Sequence, residues 1–464
     1  MSRITRREFA GVPALRFAPP AEQWNLLLIT CDQWRADCLG AAGNRIIRTP
    51  RLNQLAQEGV FFERHYVQCP QCVPSRAALH TGRYPHVNRT PSNRYRLPDG
   101  EVTLAMLLNQ QGYLSAAVGE MPFAPTRFRG GFQQIWASDD EYREFLRQTG
   151  WEEQAAQHRE RLKTGFQAHP APWPEPFDET SFFTDQAIAF LRAHRGRPFF
   201  LHVNFRRPHH PFDPPPPFDS LYRGASFPPS PRREGEMLRK PPGQLKALAN
   251  TAGFDLRRLT AEDLDRIKAF YYGMISLNDK HIGRLMDALE DVGLADRTIV
   301  VVTSDHGEML GDHGLLFKGG YFYEGVVRVP LMIRAPGKLA AGQRINRLTE
   351  AIDLLPTLLR LLDLPVPERV QGRDLLSGRP RSAVFSEFPN IKMVRTTDWK
   401  LVHYKVAPYG ELYDLRNDPD ELENLYSDPG YARIRDEMRT LLVDWLIESQ
   451  DPALSPVTAS TERG

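Results

Sequence analysis

Asn25-Leu26-Leu27-Leu28-Ile29-Thr30 is the stretch on which the reading of the fold turns. It is almost wholly apolar with no polar alternation, which marks a strand buried on both faces, early and central in a mostly parallel sheet. Downstream, Thr49-Pro50-Arg51-Leu52 predicts a helix with Thr49 as its cap and Pro50 in its first turn, ending at Gly59. A strand near 60–62, a helix from about Ser75, a helix over 102–111 and a strand over 114–118 follow. Residues 138–180 are charged, aromatic and broken by proline, and read as an insertion ahead of a helix over 180–194. The run 198–205 (PFFLHVNF) is the next buried strand, and 208–259 is a second, proline-rich excursion.

Thr260-Ala261-Glu262-Asp263 is a capping signal that opens a long helix. Its Leu264, Ile267, Phe270, Tyr271, Met274 and Ile275 recur at helical spacing and read as core. The strongest strand spans 297–303; 330–334 and 383–387 continue the sheet, with a helix over 352–362 between them. After about Gly378 the pattern changes to antiparallel strands over 393–404 and 411–415 and a final amphipathic helix over 431–448. The expected organisation is therefore a tail (1–20), an α/β domain (21–378) with helices on both faces of a mostly parallel sheet, and a small C-terminal α+β domain (379–464).

Composition narrows the function classes. Lys and Arg number 59 against 57 Asp and Glu, a net charge of +2, which excludes a nucleic-acid binder working by bulk charge. No apolar run approaches the ~18 residues of a membrane span. Proline, 39 of 464 residues, exceeds the usual ~5% and clusters in loops, so long ordered excursions are expected. The four cysteines lie between Cys31 and Cys72 and imply no disulfide framework. Thr5-Arg6-Arg7-Glu8-Phe9 fits the start of a twin-arginine signal, but the apolar stretch behind it is short and interrupted by Arg16, so a cytoplasmic location is favoured over periplasmic export.

The chemistry concentrates at three places. Cys69-Pro70-Gln71-Cys72 has CxxC spacing, yet Pro70 sits inside it and Cys31 and Cys38 supply no second pair for a zinc site; small buried apolar residues are the plainer alternative. Asp32-Gln33 follows the 25–30 strand and Asp305-His306 follows the 297–303 strand, so both pairs lie at carboxyl ends of strands, where open α/β sheets place ligands. A lone Asp there is commonly a turn or cap residue. Oxygen-rich ligands favour Ca²⁺ or Mg²⁺, while one imidazole keeps Mn²⁺ in play.

The whole string Cys72-Val73-Pro74-Ser75-Arg76-Ala77-Ala78-Leu79-His80-Thr81-Gly82-Arg83 resembles the CxPSRxxxxTGR signature of the sulfatases, with every fixed position filled. The likeness runs from Leu26 to about Leu446 and takes in Ser304-Asp305-His306-Gly307-Glu308 and Gly410-Glu411-Leu412-Tyr413-Asp414-Leu415. It implies an alkaline-phosphatase-like fold and hydrolysis of a small-molecule or saccharide sulfate ester. Cys72 would be converted by a maturation enzyme to formylglycine, the nucleophile, and one divalent cation, Ca²⁺ foremost, would be held by Asp32, Gln33, Asp305 and His306. Arg76 matches the arginine that holds the formylglycine hydrate, Lys318 the lysine that binds a sulfate oxygen, and His209 the histidine that protonates the leaving alcohol; His210 and His313 are weaker candidates for that role. The chemical logic is general: a tetrahedral anion needs fixed positive groups around it, and a hydrated aldehyde offers one hydroxyl to attack and a second whose collapse expels the sulfate. Asp32-Gln33 with Asp305-His306 looks more like the phosphonate monoester hydrolase branch than the Asp-Asp and Asp-Asn of many sulfatases.

One departure stands out. Where sulfatases usually carry Gly-Lys-x-His, this chain reads Gly119-Glu120-Met121-Pro122. An anion in place of a cation changes the local charge by two units, at ~1–4 kcal/mol per close unit-charge pair. Either another cation compensates, with Arg127, Arg129, Arg206 and Arg207 near in sequence, or turnover is poor, and three readings stay open: a sulfatase, a phosphonate monoester or phosphodiester hydrolase, and a silent anion-binding relative.

Overall fold

The computed structural model describes residues 23–123, 128–163, 167–251, 254–405 and 408–450. The 5–16 segment, Arg127 and Pro125 lie outside them. Twelve strands are present among the described residues: β1 (Asn25–Cys31), β2 (Val60–Tyr66), β3 (Leu114–Gly119), β4 (Gln134–Ala137), β5 (Phe199–Phe205), β6 (Thr298–Thr303), β7 (Arg328–Arg334), β8 (Gln343–Glu350), β9 (Ala383–Phe388), β10 (Ile391–Thr396), β11 (Trp399–Tyr404) and β12 (Gly410–Asp414). Eight form one sheet in the order β4-β3-β5-β1-β6-β7-β2-β8. Every pairing in it is parallel except those of β7, which runs against β6 and β2.

The apolar run of β1 has the predicted consequence. Leu27 and Ile29 enter one apolar cluster, with Ile267, Tyr271 and Ile275 of the long helix Ala261–Asp291. Leu26 and Leu28 enter the other, with Leu104, Leu108, Leu354 and Leu358 of the helices Leu104–Gln110 and Leu354–Leu361. Successive side chains of a strand point to opposite faces, so a strand covered by helices on both must be apolar at every position. The capping box at Thr260 and Asp263 is formed. Among the described residues no helix is long and apolar enough to cross a membrane.

Four local expectations are corrected. Thr49 does not cap the helix Pro50–Glu58; its hydroxyl accepts from Gly40 N (2.9 Å), and the first-turn amides of Arg51 and Leu52 donate to Asp279 (3.3 and 2.7 Å). The 383–387 strand does not continue the large sheet. It is β9, which forms a tight antiparallel hairpin with β10, and the second sheet runs β12-β11-β10-β9 with the helix Ala432–Glu448 packed on it through Met438, Leu442 and Trp445. The edge it was expected to fill belongs to β8, a strand that reads as polar because only its last three residues are buried. The 393–404 run divides into β10 and β11 around a turn. Within 138–180 the chain forms two helices, Asp139–Gln148 and Glu152–Leu162, ahead of the helix Glu179–Ala193.

His65 in β2 carries a stability prediction. Its Nδ1 meets Thr349 Oγ1 at 3.1 Å, its Nε2 is buried with no partner, and burial lowers its pKa from 6.5 to about 4. The folded state therefore binds fewer protons than the unfolded one between those values, so this contribution is complete above pH 6.5 and is lost as pH falls toward 4. Between pH 7 and 5 the loss amounts to about 2 kcal/mol. Urea titrations of wild type and His65→Gln at both pH values are expected to show a shallower acid loss in the variant by about that amount; parallel losses would reject the assignment.

Candidate active site

Four neighbouring parallel strands end on one side of the sheet and each delivers a charged residue. Gly119 is opposite Asn204, Cys31 opposite Phe205, and Thr30 opposite Thr303, so Glu120, Arg206, Asp32 and the Ser304-Asp305-His306 run emerge side by side from β3, β5, β1 and β6. Gly119 is required where it stands: its φ is +95°, and a Cβ there would lie 2.2 Å from the Asn204 carbonyl oxygen. That close approach lets Glu120 N donate to Asn204 O (3.0 Å) and Asn204 Nδ2 donate to Glu120 O (2.7 Å). Ser304 joins the ends of β1 and β6; its hydroxyl accepts from Trp34 N (2.9 Å) and lies 2.6 Å from Cys31 O. Gln33, just after Asp32, holds φ +68°, a left-handed conformation that a non-glycine residue adopts at a cost and that concentrates at functional sites.

Cys72 follows the carboxyl end of β2, which runs in the same direction as β6 because both are antiparallel to β7, and it lies on a helix that begins at Cys72 itself and not at Ser75 (Cys72–Thr81). Ser75 Oγ donates to Asp305 O (2.5 Å), which docks the helix against the end of β6. One turn along from Cys72, buried Arg76 bridges both strand-end carboxylates: Nε donates to Asp305 Oδ2 (2.8 Å) and Nη2 to Asp32 Oδ2. Each carboxylate thus spends one oxygen on Arg76 and keeps the other for what faces it. Asp32 Oδ1 lies 3.4 Å from His306 Nε2 and 4.0 Å from Cys72 Sγ, and the Sγ lies 3.1 Å from His306 Nε2.

Asp32, Cys72, Asp305 and His306 place one ligand atom each within 4.8 Å of one another. The donor chemistry fits a divalent cation: two carboxylate oxygens, one imidazole nitrogen, and residue 72. The tautomer of His306 fits as well, because its Nδ1 lies 2.9 Å from Gly307 O, a group that can only accept, which leaves the Nε2 lone pair facing the cluster. Burial lowers the pKa of His306 to about 4, so its ring is neutral. Gln33, expected among the ligands, is placed differently: its side chain meets Lys318 Nζ (2.5 Å), Glu308 and His210 Nδ1 (3.2 Å), and only its amide reaches Asp305, at 3.2 Å.

Lys318 and His209 are brought together, the ammonium donating to His209 Nε2, while His209 Nδ1 bonds to the His210 carbonyl. Burial, and next the charge of Lys318, hold His209 well below the usual imidazole range. His210 stacks on His209 with ring centroids 4.1 Å apart, whereas His313 lies away from the cluster against Tyr323 and Glu236.

Glu120 sits in the site. Its Oε2 accepts from Arg76 Nη2 at 3.0 Å. Burial raises its pKa, but Arg76 first and then Arg206 and His209 outweigh that and hold the carboxyl below its ordinary value. The compensating charge therefore comes first from Arg76, in direct contact, and next from Arg206, one of the four arginines expected to supply it. Arg206 is itself paired with Asp139 (2.6 Å) and Arg207 with Asp178 and Asp213 (both 2.6 Å), and among the described residues the Arg129 side chain reaches the Gln133 carbonyl (3.3 Å).

Two residues here went unassigned from sequence. Glu308, buried, accepts from the amides of Leu310 (3.0 Å) and Phe317 and so anchors the loop that carries Lys318. Its place in the Ser304–Glu308 block was the available signal. Ser304, in the same block, gave none, since a serine at a strand end has many uses.

A model of the family described as Sulfatase matches residues 24–364, and one described as N-sulphoglucosamine sulphohydrolase, C-terminal, matches residues 311–447. The chain is 31% identical to an arylsulfatase of Clostridium perfringens (strain 13 / Type A), across 90% of this chain and 93% of that protein. It is 30% identical to the multifunctional alkaline phosphatase superfamily protein PehA of Trinickia caryophylli, across 94% and 98%. The crystal structure of the phosphonate monoester hydrolase of Agrobacterium radiobacter superimposes with a TM-score of 0.83 at 31% identity, covering 93% of this chain and 97% of that one.

Proposed function

The chain belongs to the sulfatase family, with its alkaline-phosphatase-like fold, and from that premise we propose that it hydrolyses sulfate monoesters, using formylglycine made from Cys72 and one divalent cation, Ca²⁺ foremost, held by Asp32, Asp305 and His306. The observation that carries the reading is the convergence of those four residues within 4.8 Å, with Arg76 bridging both carboxylates. A bound cation would neutralise charge on the ester oxygens, and the aldehyde hydrate would supply the attacking oxygen. The unconverted thiol suits neither task, because burial, and next the Asp32 charge, push its pKa well up.

The protein's own groups do the rest. Arg76 keeps Asp32 and Asp305 in fixed rotamers. Lys318 and His209 hold a proton between two nitrogens and are the source of the proton for the departing alcohol. Charge supports a monoanionic substrate: Arg76, Lys318 and a divalent cation would bring four positive charges against the three negative ones of Asp32, Asp305 and Glu120, while Glu308, turned toward the Leu310 and Phe317 amides and Gln33, is pushed by burial toward its neutral form. A sulfate monoester balances that surplus; a dianionic phosphate monoester would overshoot it.

The same balance suits a phosphonate monoester or a phosphodiester, and the Asp32-Gln33 and Asp305-His306 pairs with the likeness to a phosphonate monoester hydrolase favour this as the second reading. Parallel kcat/KM values for aryl sulfate, aryl phosphonate monoester, phosphodiester and phosphate monoester, on matured metal-loaded protein, decide between them. The sulfate is expected to lead and the phosphate monoester to trail. A phosphonate rate above the sulfate rate transfers the assignment to the second reading, and no turnover of any ester leaves the silent relative.

Glu120 gives a sharper test. Glu120→Gln is expected to lower kcat for sulfate release about tenfold, or ~1.4 kcal/mol, because Arg76 loses a charged partner. Glu120→Lys is not expected to rescue it: the ammonium would face the Arg76 guanidinium, and Pro122 still offers no acid-base group. Unchanged steady-state kinetics in Glu120→Gln would remove Glu120 from the mechanism.

A further inference from the structure

A cavity of about 470 Å³ opens beside the active site and shares His209 with it, while none of Asp32, Cys72, Asp305, His306 or Lys318 lines it. Its outer wall is the pair of helices Asp139–Gln148 and Glu152–Leu162 from the 138–180 insertion, which carries no motif that names a substrate. Tyr142, Leu146, Leu162 and Trp173 give it an apolar and aromatic wall, and charged side chains line the rest.

The charges divide into two sets. Those at the floor are paired: Arg207 is bound by Asp178 and Asp213, His158 lies 3.1 Å from Asp213, and Arg206 is bound by Asp139 and faces Glu179, which also lines the cavity, at 3.9 Å. Those at the rim are not neutralised. The Arg159 side chain is exposed and makes no hydrogen bond or ion pair among the described residues. Arg143 has only Asp140, at 3.2 Å with both side chains largely in solvent, a pair too exposed to neutralise it.

We propose that this cavity receives the alcohol part of the substrate, and that this alcohol is a ring bearing its own anionic group, a carboxylate or a second sulfate, which Arg159 and Arg143 select. The assignment rests on His209 as the donor of the leaving-group proton, since that residue is where the cavity meets the chemistry. A volume of 470 Å³ falls in the range of small-molecule sites and accommodates one substituted ring. Apolar walls reward burying the ring face, and two guanidinium groups with unspent donors reward an anion at its far edge.

The test needs no turnover. Full-length protein with Cys72 unconverted is titrated calorimetrically with phenol, 4-hydroxybenzoate and 4-hydroxybenzenesulfonate. The anionic ligands are expected to bind about tenfold more tightly than phenol, with the advantage reduced three- to tenfold in Arg159→Ala and partly kept in Arg159→Lys. It should also shrink at high salt. A stronger carboxylate arm identifies a carboxylated alcohol, and a stronger sulfonate arm a doubly sulfated one. Equal binding of phenol and both anions, or an advantage untouched by both Arg159→Ala and Arg143→Ala, overturns the proposal. Matured protein is then compared on 4-carboxyphenyl sulfate and phenyl sulfate. A binding preference without hydrolysis of either sulfate upholds the cavity assignment and overturns the sulfatase reading, so the two fail separately.

Discussion

Cys72→Ala is expected to lower ester hydrolysis by ~10³-fold or more while leaving the folded protein intact. In the proposed mechanism the nucleophile is one atom on residue 72, and no neighbour can replace it: Asp32 and Asp305 are held by Arg76, and His306 Nδ1 faces a carbonyl. Structurally the change is mild. Residue 72 opens a helix, alanine is a good helix former, and the Sγ makes only the contacts to His306 and Asp32 already described. Matched melting curves together with lost turnover are the expected pair of results. Mass spectrometry of the peptide containing residue 72 in the wild type supplies the second check. A thiol that stays unconverted in active protein would refute the nucleophile, as would turnover undiminished in Cys72→Ala.

Arg76→Met carries the other large effect, and it falls on stability as well as rate. Arg76 is 3% exposed and makes ion pairs with two carboxylates that are each 1% exposed. Methionine keeps the length of the side chain and removes the charge, so Asp32 and Asp305 are left buried beside each other without a counter-ion. Breaking a buried pair in this way costs about 3–5 kcal/mol. A cation bound by the same carboxylates would replace part of the missing charge. Denaturant unfolding in the presence of a chelator should therefore show the full loss, and added Ca²⁺ should recover more stability in the variant than in the wild type. Equal responses to Ca²⁺ would show that the two carboxylates do not hold the ion. Rate should fall in Arg76→Met even when the metal is saturating, because Glu120 also loses its partner.

Much of this was legible from local patterns. The unbroken apolar run of β1 is enough to demand helices on both faces of a parallel sheet, and the spacing over 264–275 is enough to make the long helix a core element. The twelve residues from Cys72 to Arg83 point to a chemistry through their resemblance to the sulfatase signature, and the acidic pairs through their place after two apolar strands. Polar partners were not legible in this way. Thr49 has the identity of a cap, but Asp279 from a distant helix takes the amides, and the polar run 343–350 forms a strand because β2 presents an open parallel edge to it.

The sequence by itself therefore determined the layers and the strand ends on which the candidate site sits. Each of these follows from periodicity or spacing within a short window, where burial is written into neighbouring side chains. Only the tertiary structure decided which charges meet. Arg76 answers Glu120, Gln33 turns to Lys318 and Glu308, and the rim arginines of the 138–180 helices are left unspent beside His209. The reason is physical: a buried charge must be paired, but which partner it finds is set by strand register and helix docking between segments far apart in the chain, and no local pattern records that choice.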